Sequence, residues 1–118
     1  MGAGMRTVDV GDLFFPHGNI LSIEVSSGLR ANARLRFSLR SGETLPERKN
    51  YEVKITGLKY CSMLADANEL NTLLELGQII DGKFTKNSGH VDLSIFLGAG
   101  CFIFRGTDIQ SQAEEGVQ

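Results

Sequence analysis

The stretch from Leu29 to Arg40 alternates apolar and polar residues at every position, and it constrains the fold more than any other part of the chain. Side chains on a β-strand point to opposite faces with a period of two residues. Unbroken alternation therefore predicts an antiparallel strand that is buried on one face and hydrated on the other. The apolar face is predicted to carry Leu29, Ala31, Ala33, Leu35, Phe37 and Leu39, and the polar face Arg30, Asn32, Arg34, Arg36, Ser38 and Arg40.

Five further stretches have the alternation of strands and are bounded by glycine, serine and asparagine turns. The first, at residues 19–26, places Leu21, Ile23 and Val25 on one face. The others are predicted at residues 51–60, 78–86, 90–97 and 101–104. For residues 78–86 the alternative is a tight hairpin turning at Asp81-Gly82, and we favour the strand because a second turn follows directly.

Between the strands predicted at residues 51–60 and 78–86, the spacing of apolar residues changes to that of a helix. The stripe consists of Leu64, Ala67, Leu70 and Leu74. This spacing predicts a helix from Ser62 to Leu76, ended by Gly77. The predicted fold class is α+β, mainly β, with about six antiparallel strands in the order three strands, one helix, three strands. They would form a sheet or a partly open barrel with the one helix packed on it.

Length and composition fit one domain with an ordinary core. The chain has 118 residues, of which 42% are hydrophobic and 22% charged. We expect a single domain over residues 1–118, with a partly irregular lead at 1–13 and a frayed polar tail at 110–118. Phe14 and Phe15 precede Pro16, and we expect both rings to lie against the core.

Charge and hydropathy argue against several classes of protein. The net charge of −2 disfavours a general nucleic-acid or anionic-membrane binder. No apolar run approaches the ~20 residues that span a bilayer, and the first ten residues lack the apolar core of a signal peptide. We therefore expect a cytoplasmic protein. Cys61 and Cys101 are expected to be reduced thiols, with a single disulfide as the alternative, and no cofactor or metal site is predicted.

The arginines at Arg30, Arg34, Arg36 and Arg40 form the first candidate site, because they share the polar face of one strand. Guanidinium groups bind carboxylates and phosphates in bidentate fashion. The row therefore suggests a surface for a protein partner. The alternative is a hydrated sheet face on which these arginines pair with Glu24, Glu52 and Asp92 of neighbouring strands.

His90 and Asp92 form the second candidate site, an HxD pair on one face of a predicted strand. With His17 or Asp81 they would make a small metal or acid–base site. The alternative is a solvated histidine that follows the Asn87-Ser88-Gly89 turn.

The layout resembles that of the small antiparallel-sheet immunity proteins found beside bacterial polymorphic and contact-dependent toxins. The stretches that carry the resemblance are FPHGNILSIEV, YEVKITGLKY, the predicted helix, QIIDGKF and CFIFRGTDI. The resemblance implies a non-enzymatic inhibitor whose charged surface matches one toxin, and it implies no catalytic residues.

Three functions follow as hypotheses. The first is a non-enzymatic protein-binding module of the immunity type, which acts by occlusion through a charged sheet face. The second is an enzyme or ligand binder, for a metal or a small molecule, that uses His90 and Asp92. The third is a homo-oligomeric structural protein, such as a homodimer, that pairs through an exposed strand edge.

Overall fold

The computed structural model describes residues 5–42, 47–65, 79–98 and 100–114. These residues form nine strands and one short 3₁₀ helix at Val10–Asp12. The strands are β1 (Met5–Val8), β2 (Phe14–Ser26), β3 (Asn32–Arg40), β4 (Arg48–Thr56), β5 (Tyr60–Ala65), β6 (Ile79–Asn87), β7 (His90–Leu97), β8 (Gly100–Gly106) and β9 (Asp108–Glu114). Across these ranges no helix has the length and apolar character needed to cross a bilayer.

The strands form two antiparallel sheets that enclose the core. Sheet A has the order β1-β9-β4-β3-β2, and sheet B the order β5-β8-β7-β6. We call the side of each sheet that faces the other sheet its inner side, and the opposite side its outer side. Directly paired residues of antiparallel strands share a side, so the register assigns each side chain to one of the two.

The predicted α+β class is wrong, because the described part of the chain is almost entirely β and contains no α-helix. The predicted helix was to begin at Ser62, yet Ser62 pairs with Ile103 and Leu64 with Cys101 in the β5–β8 ladder. A short apolar run does not by itself distinguish helix from strand, and here pairing with the edge of β8 decides the outcome. Residues 66–76 of the predicted helix lie outside the described residues.

The apolar face predicted for β3 is confirmed over most of its length. Ala33, Leu35, Phe37 and Leu39 are completely buried. The strand is shorter than predicted, however, since it begins at Asn32, which closes the hairpin with Ser26. Leu29 therefore lies in the connecting turn and is fully exposed.

A β-bulge in β2 shifts the alternation that the sequence predicts. Ile20 pairs with Phe37 and Ile23 pairs with Leu35, so one extra residue lies between Ile20 and Ile23. As a result Ile20 is buried, whereas Leu21 is 46% exposed. The prediction that Leu21 lies on the same face as Ile23 is wrong for that reason.

The polar segment expected to form a frayed tail instead begins with a central strand. Residues 110–114 belong to β9, which lies between β1 and β4 in sheet A. Ser111 and Ala113 are buried, and the Ser111 hydroxyl donates a hydrogen bond of 2.6 Å to the carbonyl oxygen of Val8. The sequence of residues 110–114 is mostly polar because the outer side of this segment is hydrated and its inner side carries the small residues Ser111 and Ala113.

Aromatic packing and a close backbone approach join the two sheets. Phe15 of β2 is buried and makes an edge-to-face contact with Phe37, with ring centroids 5.5 Å apart. A Cβ at Gly82 of β6 would lie 2.6 Å from the Phe15 ring, so only glycine permits this approach. The expected burial is thus confirmed for Phe15, while Phe14 is half-buried.

Candidate functional site

Three of the four predicted arginines lie on the outer side of sheet A. Arg34, Arg36 and Arg40 alternate with the buried residues of β3. Arg30 precedes the strand, in the exposed turn that also holds Leu29. Arg34, Arg36 and Arg40 therefore form a row on β3. Arg30 is not part of this row, because the β2–β3 hairpin closes at Asn32.

Carboxylates on β4 and β9 partly compensate Arg34 and Arg36. Arg34 Nε lies 3.9 Å from Glu52 Oε1, and Arg36 Nη2 lies 3.6 Å from Glu114 Oε2. Glu24 is directly opposite Arg34 in the β2–β3 register. Both arginine side chains remain more than 40% exposed, at 44% and 42%. Ion pairs this exposed contribute only about 0–1 kcal/mol each.

We call this outer side of sheet A the charged face. It carries Glu24, Arg34, Arg36, Arg40, Arg48, Glu52, Lys54 and Glu114. A shallow depression of about 200 Å³ lies within it, lined by Arg34, Glu52, Lys54, Gln110 and Gln112. Since β3 is paired on both sides and its inner residues are fully buried, the backbone beneath these side chains is held in place.

At one end of the charged face, two arginines lie opposite each other. Arg40 of β3 pairs with Arg48 of β4 and, on its other side, with Phe14 of β2. The Arg48 guanidinium donates hydrogen bonds to two backbone carbonyls, of His17 at 2.7 Å and of Ser38 at 3.1 Å. His17 adopts a positive φ of 65°, which is uncommon for a residue with a side chain.

His90 and Asp92 do lie together, on the outer side of sheet B, where Arg105 joins them. Arg105 Nε is 2.7 Å from Asp92 Oδ1, and His90 Nε2 is 3.5 Å from Asp92 Oδ2. The Asn87 side-chain amide is 3.4 Å from the same His90 nitrogen. Asp92 Oδ1 is thus engaged by a guanidinium, which compensates the charge of the carboxylate.

The residues proposed to complete a metal or acid–base site do not join this pair. His17 belongs to β2 in the other sheet, and the Asp81 carboxylate accepts a hydrogen bond of 2.8 Å from the Gly82 N–H. In the portion of the chain that the structure describes, no group of three or more metal-ligating side chains is present.

The two cysteines are free thiols on opposite sides of sheet B. Cys61 pairs with Phe104 on the inner side, and Cys101 pairs with Phe96 and Leu64 on the outer side. Burial raises the pKa of the Cys61 thiol, because the thiolate would lose hydration there. Cys61 is therefore mainly the protonated thiol at neutral pH, which is a weak nucleophile.

The rest of the outer side of sheet B is partly apolar, and we call this whole side the mixed face. Its charged end is formed by His90, Asp92 and Arg105. Towards the other end lie Phe96, Cys101 and Leu64, of which Leu64 is 71% exposed. Tyr60 of the same edge strand, β5, pairs with Arg105 on this face and is about half exposed.

A cleft of about 700 Å³ opens where β1 leaves β9 and turns into the 3₁₀ helix. Its walls are mixed in character: the apolar residues are Val8, Val10, Phe84 and Ile109, the uncharged polar residues are Thr7, Gln110, Ser111 and Gln112, and the charged residues are Asp9 and Lys86. The Asp9 carboxylate caps the 3₁₀ helix by accepting the Gly11 N–H at 2.9 Å. Sequence analysis missed this cleft because three distant segments form it.

Comparisons with known proteins do not assign this chain to a family. No protein-family model, no curated protein and no solved structure matches this chain. Function is therefore argued from the charged face, the mixed face and the contacts within them.

Proposed function

We propose that this chain is a non-enzymatic protein-binding module whose working surface is the charged face of sheet A. The observation that carries the proposal is the exposure of Arg34 and Arg36 on a strand whose opposite side is completely buried. The buried strand fixes the backbone that carries these guanidinium groups, so little backbone entropy is lost there when a partner binds.

Binding would act by occlusion. A partner with carboxylates facing Arg34 and Arg36 would exchange the weak pairs with Glu52 and Glu114 for bidentate contacts of its own. Charge complementarity would set the encounter rate and the choice of partner. The sheet itself would then cover the partner's functional surface. This is the mode of the toxin-immunity proteins that the sequence resembles, and we place the protein in the cytoplasm with a toxin as the partner.

An enzymatic or metal-dependent role for His90 and Asp92 receives less support. A general base needs a carboxylate or an imidazole that is free to accept a proton from substrate. Arg105 engages one oxygen of Asp92 and His90 approaches the other, an arrangement suited to cross-strand stabilisation. The pair is thus better explained as part of the sheet than as a reaction centre.

The test is affinity capture from a lysate of the native host with three charge-reversal variants. Arg34→Glu and Arg36→Glu alter the charged face, and Lys83→Glu makes the same charge change on the mixed face. The expected result is a protein that the wild type and Lys83→Glu retain and that the two arginine variants lose. Circular dichroism checks that all variants are folded. Equal retention by every variant would contradict the proposal.

Self-association is a second candidate function, and the exposed edge of β5 favours it. Among the described residues no strand pairs with the outer edge of β5, which presents Tyr60, Met63 and Leu64 without a single charge. Neutral apolar edges invite strand pairing between copies. Light scattering from micromolar to near-millimolar concentration would show a dimer that Leu64→Lys abolishes. A constant monomer mass over that range excludes this function.

A further inference from the structure

We infer that Arg40 and Arg48 form a binding site for a carboxylate side chain of an acidic segment in the partner protein. The inference rests on the proposed function and adds to it the point on the charged face where the partner is anchored. It also assigns a role to Arg48, which the sequence pattern did not single out.

The first observation is the placement of two like charges directly opposite each other. Arg40 and Arg48 pair in the β3–β4 register, where opposite Cβ atoms lie roughly 4.5–5.5 Å apart. Like charges in this relation destabilise a sheet. Within the described ranges, neither arginine forms an ion pair with a carboxylate, unlike Arg34 and Arg36. Among the described residues the two guanidinium groups thus form a cationic pair without a carboxylate partner, which a bound anion would stabilise.

The second observation is that Arg48 is already oriented. Its Nη1 atom donates to the Ser38 carbonyl on β3, the strand of Arg40, and its Nη2 atom donates to the His17 carbonyl on β2. A guanidinium has five N–H donors, so three remain for a ligand. Because the side chain is held before binding, less rotamer entropy is lost when a carboxylate arrives.

The third observation is the neighbouring aromatic ring. Phe14 lies opposite Arg40 on β2 and is half-buried, so Phe14, Arg40 and Arg48 form one row across three strands. Aromatic and arginine side chains are enriched in the residues that dominate binding energy at protein interfaces. The ring offers an apolar contact for the methylene groups of a glutamate whose carboxylate reaches the arginines.

The charge around the site favours a carboxylate over the backbone of a nucleic acid. Glu24, Glu52 and Glu114 lie on the same face, and the whole chain has a net charge of −2. A phosphate chain running along the face would approach these carboxylates and be repelled. A single acidic side chain at the Arg40 end would not.

The test is an NMR titration of the full chain with a hexaglutamate peptide, observing backbone amides and arginine Nε–Hε groups. Hexaglutamine is the neutral control peptide, and a single-stranded oligonucleotide is the polyphosphate probe. We expect saturable shifts centred on Arg40 and Arg48, a roughly tenfold weaker affinity in Arg40→Gln, and an unchanged affinity in Lys83→Gln, a residue of the mixed face that pairs with Ser94. Shifts centred on Arg34 and Arg36, equal binding by Arg40→Gln, or tighter binding of the oligonucleotide would each overturn the inference.

Thermal unfolding of Arg40→Gln provides an independent readout in the absence of any ligand. Removing one of two opposed charges is expected to raise Tm by about 2 °C, the shift that a few tenths of a kcal/mol produces in a domain of this size. A fall in Tm would mean that Arg40 already has a stabilising partner within the chain, and it would refute the site.

Partner capture separates this inference from the proposed function. Loss of the captured protein in Arg34→Glu and Arg36→Glu but not in Arg40→Gln overturns the inference and leaves the proposed function standing. Loss in Arg40→Gln together with the other two supports both. Retention by all three variants overturns both.

Discussion

The outer sides of the two sheets differ in how their charges are used. On sheet B the Asp92 carboxylate is joined to Arg105 at 2.7 Å, and apolar residues occupy the other end of the face. On sheet A the ion pairs of Arg34 and Arg36 are longer, at 3.9 and 3.6 Å, and the apolar Phe14 lies opposite Arg40 at one end of the face. The Asp92 charge is therefore compensated within sheet B, whereas Arg34 and Arg36 of sheet A have only long, exposed ion pairs.

The largest predicted effect on stability is the difference between substitutions on the inner and outer sides of β3. Leu35→Ala removes a fully buried side chain and is expected to lower the free energy of unfolding by about 2–5 kcal/mol. The matched change Ser38→Ala, on the outer side of the same strand, is expected to cost less than about 0.5 kcal/mol. Urea denaturation measures both. A loss below 1 kcal/mol for Leu35→Ala would mean that β3 is not the centre of the core.

An effect of intermediate size on stability is predicted for the ion pair between Asp92 and Arg105 on the mixed face. Asp92→Asn weakens the hydrogen-bonded pair with Arg105, whose side chain is 54% exposed, and it is expected to cost about 0.5–1 kcal/mol. A double-mutant cycle with Arg105→Gln isolates the interaction between the two side chains. A coupling energy of zero would remove the contrast drawn between the two faces.

The smallest stability effect is predicted for the charged face. Arg36→Ala breaks a solvent-exposed pair of 3.6 Å with Glu114, and its effect on unfolding is expected to stay within about 0.5 kcal/mol. Salt at 1 M should likewise change the stability of the wild type little through this pair, since exposed charges are already screened. A larger loss for Arg36→Ala than for Asp92→Asn would reverse the comparison.

The sequence patterns predicted the buried side chains of β3 well, but they did not predict the bulge in β2 or the residue at which β3 begins. The alternation along β3 identified its buried side chains because a period of two survives any tertiary arrangement. It did not reveal the bulge at Leu21, since one inserted residue leaves the composition unchanged and is stabilised only by the pairing of Ile20 and Ile23 with β3. The alternation also predicted, wrongly, that the strand begins at Leu29, because residues in a turn can alternate by coincidence.

Long-range pairing explains most of the remaining errors. Tyr60–Ala65 was assigned in large part to a helix, and only its ladder with β8 establishes it as a strand. Residues 110–114 looked like a polar tail, although their inner side carries the buried Ser111 and Ala113. For the same reason, the sequence did not predict which distant residues contact the candidate sites.

Those partners come from distant parts of the chain. Glu114 approaches Arg36 from the last strand, Arg105 approaches Asp92 from β8, and Arg48 meets Arg40 across the β3–β4 register. Glu24 and Glu52 were correctly anticipated as neighbours of the arginines because they lie on the two strands that adjoin β3 in sequence. The expected pairing of Asp92 with this row is wrong, because Asp92 belongs to the other sheet.

The central claim, that the charged face binds a protein partner through its arginines, is tested most directly by association kinetics. The measurement compares the association rate constant of the captured partner with the wild type, Arg36→Glu and Lys83→Glu at low ionic strength. Because opposite charges steer encounter, we predict at least a tenfold slower association for Arg36→Glu and a change below twofold for Lys83→Glu. Equal rates for Arg36→Glu and the wild type would contradict the claim.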